Sequence, residues 1–161
     1  MRPVLKLLAV SALIVALSAC TSAPPPPPAT TEAVVSARPI EVAITYELVT
    51  DTSGGVIINA ESNLPDGAEM SGSFFVEGGY FGQDEGVLQG GKISFGPFSD
   101  KKTPLQGIYQ MSITLPIARN QPEGVQAKIG TAGELMTGSL VSTDDISGDK
   151  YAGIDVQVTL G

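Results

Sequence analysis

Seventeen carboxylates, one thiol and no imidazole make up the main acid–base and nucleophilic inventory of this 161-residue chain. Without histidine, Ser-His and Cys-His catalysis, imidazole proton transfer and the common zinc sites are excluded. Acid–base chemistry would then rest on a carboxylate pair of the kind glycosidases use. Asp84 and Glu85 are the adjacent candidates, set in a glycine-rich stretch read as a loop. Neighbouring residues of extended chain point to opposite faces, which argues against joint action. Gly78, Gly79, Gly82 and Gly86 lack the Lys and Ser or Thr of a phosphate-cradling loop, and no helical pattern follows. A second acidic group, Asp144, Asp145 and Asp149 around Ser147 and Gly148, is rich enough in oxygen to take Ca²⁺. It lacks the spacing and terminal Glu of an EF-hand, so the expectation is a solvated turn whose carboxylates splay apart. Six of the nine aromatics, Phe74, Phe75, Tyr80, Phe81, Phe95 and Phe98, crowd into one stretch. Phe74 and Phe95 fall on apolar faces and belong to a core, whereas Phe75, Tyr80 and Phe81 are left for a sugar-binding or peptide-binding surface. No catalytic residue, cofactor or metal ligand is assigned.

The one thiol, Cys20, has a different setting. Arg2 and Lys6 precede an uncharged apolar run from Leu7 to Leu17, too short to cross a hydrocarbon core of ~30 Å at ~1.5 Å per residue. The run therefore reads as a secretion signal over residues 1–19. Ordinary small-residue cleavage after Ala23 would place Pro24 behind the scissile bond, a poor fit. Leu17, Ser18, Ala19 and Cys20 resemble the lipobox of bacterial lipoproteins over all four positions. The resemblance implies that Cys20 is acylated and becomes the mature N-terminus. Two or three acyl chains at ~0.8 kcal/mol per buried methylene anchor stably where one does not. Thr21, rather than Asp, after the cysteine implies the outer membrane in an organism that has one. A lone cysteine also forms no intramolecular disulfide.

Residues 20–39 follow as a linker. Pro24 to Pro28 are five consecutive prolines among Ala, Ser and Thr, a composition expected to remain extended and disordered. At ~3.1 Å per residue it holds the remaining chain well clear of a bilayer. Removal of Arg2 and Lys6 from nine basic residues leaves seven against 17 acidic, a net charge of −10. That argues against nucleic acid and against electrostatic attachment to anionic lipid.

Residues 40–161 have the length of one domain and contain all 19 glycines. No window there sustains a helical period, whereas alternation recurs. Strands are expected at Ile40–Leu48, Val56–Ser62, from Glu69 through Met70, Gly72, Phe74 and Val76, and at Lys92–Phe98. More follow at Gly107–Pro116, at Val125–Ala127–Ile129, and through Ile154, Val156, Val158 and Leu160. Leu64, Pro65, Asp66 and Gly67 suit a type I turn with Pro second and Gly fourth. Seven or eight short strands without a helix predict an all-β fold, an antiparallel two-sheet β-sandwich.

Leu105, Gly107 and Tyr109, after Phe95 and Phe98, resemble the strand-entry pattern of bacterial immunoglobulin-like and transthyretin-like sandwich domains, and Asn63 to Gly67 resembles a turn of bacterial envelope proteins. The resemblance implies a sandwich and no particular activity. The expected function is a membrane-anchored envelope lipoprotein whose non-catalytic sandwich contacts another envelope protein or helps organise a surface assembly. The alternatives are a glycan-binding or Ca²⁺-dependent module and, third, a carboxylate-based enzyme.

Overall fold

The computed structural model describes residues 38–161. The expected signal peptide, the Cys20 lipidation site and almost all of the linker lie outside the described residues. The described chain is mainly β, and its two larger sheets are antiparallel. The strands are β1 (Ile40–Glu41), β2 (Ile44–Thr50), β3 (Val56–Ser62), β4 (Glu69–Phe75), β5 (Phe81–Val87), β6 (Lys92–Phe98), β7 (Gly107–Leu115), β8 (Met136–Thr137), β9 (Val141–Thr143) and β10 (Lys150–Leu160). The larger sheet has the order β5-β4-β7-β10-β9 and the smaller β2-β3-β6, while β1 and β8 form a short parallel pair.

Alternation produces the core. Met70 and Phe74 on β4, Tyr109, Met111, Ile113 and Leu115 on β7, and Ile58, Ala60, Ile93 and Phe95 on β3 and β6 are all buried. The two sheets meet through these faces. Phe74 of β4 packs edge-on against Phe98 of β6 with centroids 5.2 Å apart. A Cβ on Gly72 of β4 would sit 2.5 Å from the Phe95 ring of β6, so only glycine admits that ring. Phe74 also meets Tyr109 edge-on, and Tyr109 meets Tyr80. Such contacts add about 0.5–1.5 kcal/mol each beyond area burial.

Four expectations require correction. Residues 125–129 do not form a strand: Glu123–Ile129 is a helix, α1, after a 3-10 turn at Ala118–Asn120. Val125 and Ile129, four apart, are buried while Ala127 between them is exposed, the mark of a helical rather than an alternating face. Glu123 in the first turn and Lys128 in the last complement the helix dipole, and Gly130 at φ 89° ends it. Second, the glycine-rich stretch read as loop contains β5, paired with β4 from Glu69–Val87 to Phe75–Phe81. Third, the tight turn is shifted by one residue. The Ala68 N–H donates to the Pro65 carbonyl, placing Gly67 third with φ 91°, the position a type II turn reserves for glycine. The expected strand Ile40–Leu48 is also interrupted, since β1 pairs with β8 and β2 with β3.

Where β7 runs out, a side chain takes over. Its ladder with β4 ends at Ser71–Thr114, and Pro116 beyond has no N–H. Buried Gln121 accepts from the Glu69 N–H through Oε1 at 2.9 Å and donates from Nε2 to the Glu69 carbonyl at 3.0 Å. Gln126 of α1 donates in turn to the carbonyls of Gln121 and Arg119, tying the helix to this junction. Among the described residues no helix is long and apolar enough to cross a membrane.

Candidate functional site

The outer face of the larger sheet is assembled by register. Alternation sends Phe81, Gln83, Glu85 and Val87 outward on β5, and Glu69, Ser71, Ser73 and Phe75 outward on β4. The same parity exposes Ile108, Gln110, Ser112 and Thr114 on β7, and Tyr151, Asp155, Gln157 and Thr159 on β10. Pairing places these in rows across the strands, with neighbours ~4.8 Å apart. Phe81, Phe75, Gln110 and Gln157 form one row. Gln83, Ser73, Ser112 and Asp155 form the next, and Glu85, Ser71 and Thr114 a third.

Two side-chain hydrogen bonds orient the polar rows, one along β5 and one across β7 and β10. Gln83 Nε2 donates to Glu85 Oε1 at 3.2 Å, and Ser112 Oγ donates to Asp155 Oδ1. A groove of about 500 Å³ opens beside them, lined by Glu69, Ser71, Gln83, Glu85, Pro116 and Asn120 among others. At the opposite end of the strands, Phe75 and Phe81 lie directly opposite each other and remain 43% and 64% exposed, with Ile108 at 60%.

The sequence-based candidates divide cleanly on this frame. Phe74, Phe95 and Phe98 are core. Tyr80 is half-buried against Tyr109 and lies over Gly82, where a Cβ would collide with its hydroxyl. Burial, then the neighbouring Tyr109 and Asp100, push its phenol above the ordinary tyrosine range. Phe75 and Phe81 are the two aromatics of the group that reach the open face.

Asp84 and Glu85 point to opposite sides of β5, but β5 is a strand and Asp84 has a structural partner. Asp84 Oδ2 accepts from the Gly96 N–H of β6 at 2.8 Å, closing the edge where the two sheets approach. An inward charge on an edge strand also discourages pairing with other chains. Glu85 stays outside and shares the groove with Glu69, both of them exposed rather than set among apolar side chains.

The acidic loop between β9 and β10 does not converge. Asp144 Oδ1 accepts from the Ile146 and Ser147 N–H groups and from Ser147 Oγ, bonds that hold its carboxyl below the usual range. Buried Asp149 instead receives a forked contact from Arg119, Nε to Oδ2 and Nη2 to Oδ1 both at 2.8 Å, and that guanidinium lowers its pKa. Asp145 is exposed. Each carboxylate thus has its own surroundings, and among the described residues no three His, Cys, Asp or Glu side chains gather closely enough to hold a metal.

Gln121 and the β5 rows are the residues that sequence reasoning missed. On β5 the outward Phe81, Gln83, Glu85 and Val87 alternate with glycine, aspartate and glycine, a pattern without the apolar inner face by which a strand is read. Comparison with protein-family models, with curated proteins and with solved structures finds no match for this chain.

Proposed function

We propose that the protein is a lipid-anchored component of a bacterial envelope that carries a non-catalytic recognition domain. The domain is a two-sheet β-sandwich of immunoglobulin-like or transthyretin-like type. Anchoring is through acylated Cys20, in the outer membrane where there is one, and residues 20–39 serve as the tether. The observation that carries the recognition reading is the division of labour among polar side chains. Asp51, Asp84, Asp144 and Asp149 are engaged in turns, in the contact between sheets and in an ion pair. The outer face of the larger sheet, by contrast, sets an exposed aromatic pair, the hydrogen-bonded Gln83 amide and Ser112 hydroxyl, and a groove on one surface. Rigid strands are good platforms for such constellations. The groove carboxylates Glu69 and Glu85 are both exposed, without the contrast of environments that separates an acid from a base. The partner of such a face is another envelope component.

Two measurements test this reading. Labelled palmitate should enter the wild type and not Cys20→Ala, and the mature N-terminus should be modified Cys20; labelling of the variant overturns the anchor. A photoreactive residue in place of Ser73 or Gln110 should cross-link in intact cells, whereas one in place of Asn59 on the smaller sheet should not. Cross-links from Asn59 alone would overturn the assignment of the face.

A further inference from the structure

Resting on the reading of this face as a recognition surface, we infer that its ligand is a neutral polysaccharide chain. The chain runs along β4 and β5 with β7 and β10 beside it, Phe75 and Phe81 serving as the stacking platform and the Glu85–Ser71–Glu69 groove as a hydrogen-bonding subsite. Two phenyl rings exposed side by side offer flat apolar contact that suits the C–H face of a pyranose, and they take no part in the edge-on cluster of Phe74, Phe98, Tyr80 and Tyr109. Beside them lie Gln110, Gln157, Gln83, Ser73 and Ser112, which offer both donors and acceptors. A polyhydroxylated chain uses both kinds, whereas a basic peptide would use the acceptors alone.

Charge decides between glycan classes. Glu69, Glu85 and Asp155 stand on the face, and no outward position of β4, β5, β7 or β10 carries Lys or Arg. Sulfated, phosphorylated or uronic acid chains would meet carboxylates with no cation to offset them, while a carboxylate accepts readily from neutral sugar hydroxyls. The side-chain bonds from Gln83 to Glu85 and from Ser112 to Asp155 hold these groups in place before any ligand arrives, which lowers the ordering cost of binding. From the Phe75 row to the Ser71 row is four residues of strand, about 14 Å at ~3.4 Å per residue. That span calls for an oligosaccharide rather than a single ring.

The test uses the detergent-solubilised full-length protein on an array of cellohexaose, xylohexaose, maltohexaose and chitohexaose, with dextran sulfate and decalysine alongside. At least one neutral hexasaccharide should bind. Phe81→Ala and Gln110→Ala should each weaken it at least about tenfold, equivalent to ~1.4 kcal/mol. Glu47→Gln, exposed on β2 of the smaller sheet, should leave binding unchanged. Phe81 and Gln110 are exposed, so both variants fold, and circular dichroism checks this. Absence of neutral hexasaccharide binding, or equal binding by both face variants, overturns the glycan assignment. Binding of decalysine or dextran sulfate alone also overturns it while leaving the recognition face standing. That face falls instead if cross-links come from the Asn59 position only.

Discussion

Replacing Gln121 tests how the larger sheet is finished at the groove. Gln121→Met keeps length and volume but removes the bond from the Glu69 N–H and the bond to the Glu69 carbonyl. Each is worth about 1 kcal/mol net, and the side chain is only 3% exposed, so the methionine brings no polar replacement. The cost is about 2 kcal/mol, and at roughly 4 °C per kcal/mol for a domain of this size the melting temperature should fall by about 8 °C. Gln121→Glu separates hydrogen bonding from packing. Ionised, the new carboxylate accepts from the Glu69 N–H but cannot donate to the Glu69 carbonyl. Burial raises its folded-state pKa above the ~4.3 of an unfolded glutamate, so its stability relative to wild type is retained below ~4.3 and lost as pH rises through the folded value. Thermal unfolding followed by circular dichroism at pH 4 and pH 7 should therefore show the deficit of Gln121→Glu widening with pH, while that of Gln121→Met stays constant. A loss under ~3 °C for Gln121→Met, or a Glu variant whose deficit shrinks as pH rises, would refute the assignment.

Acid should destabilise the domain through Asp149, Asp144 and Asp51, whose folded pKa values lie below their ordinary ones. Their stabilisation is present above the unfolded value of ~3.9 and disappears as pH falls through the folded values, so melting temperature should drop below pH 4, and less steeply in Asp149→Asn. Gly72→Ala should cost about 1–3 kcal/mol in a urea titration, because its Cβ meets Phe95 near the ring root at 2.5–2.9 Å. Gly86→Ala should cost less, since it meets the mobile end of Ile93 at 3.1 Å; equal losses would contradict the close approach of the two sheets at Gly72. Calcium at 5 mM against EDTA should change the melting temperature by under ~2 °C, because Asp144 and Asp149 are engaged separately; a larger rise that vanishes in Asp145→Ala would contradict that geometry.

Strands with apolar side chains on their inner face were legible from alternation alone. β3, β4, β6, β7 and β10 are of this kind, with Ile58, Phe74, Phe95, Met111 and Val156 among their inner residues. β5 was not, because its inner positions are Gly82, Asp84 and Gly86, and the apolar material over them comes from Tyr80, Ile93 and Phe95 elsewhere in the chain. Without β5 the partners of Phe75 and Ser73 are invisible, so the open face could not be drawn from sequence. Helix α1 was misread for another reason: Val125 and Ile129 satisfy both a two-residue and a four-residue spacing. Glu123 after Pro122 and Lys128 before Gly130 were the deciding signals. Gln121 left no trace, since a side chain that completes a strand ladder depends on where that strand happens to stop.

The most direct test of the proposed function is the accessibility of the open face in its native setting. Ser73→Cys and Gln157→Cys on the larger sheet, and Asn59→Cys on the smaller, can each be labelled with a maleimide in intact envelopes and in purified protein, with Cys20 retained for anchoring. The account predicts that Ser73→Cys and Gln157→Cys react several-fold more slowly in the envelope than when purified, while Asn59→Cys reacts alike in both. Equal reactivity at all three positions, or protection of Asn59→Cys alone, would contradict it.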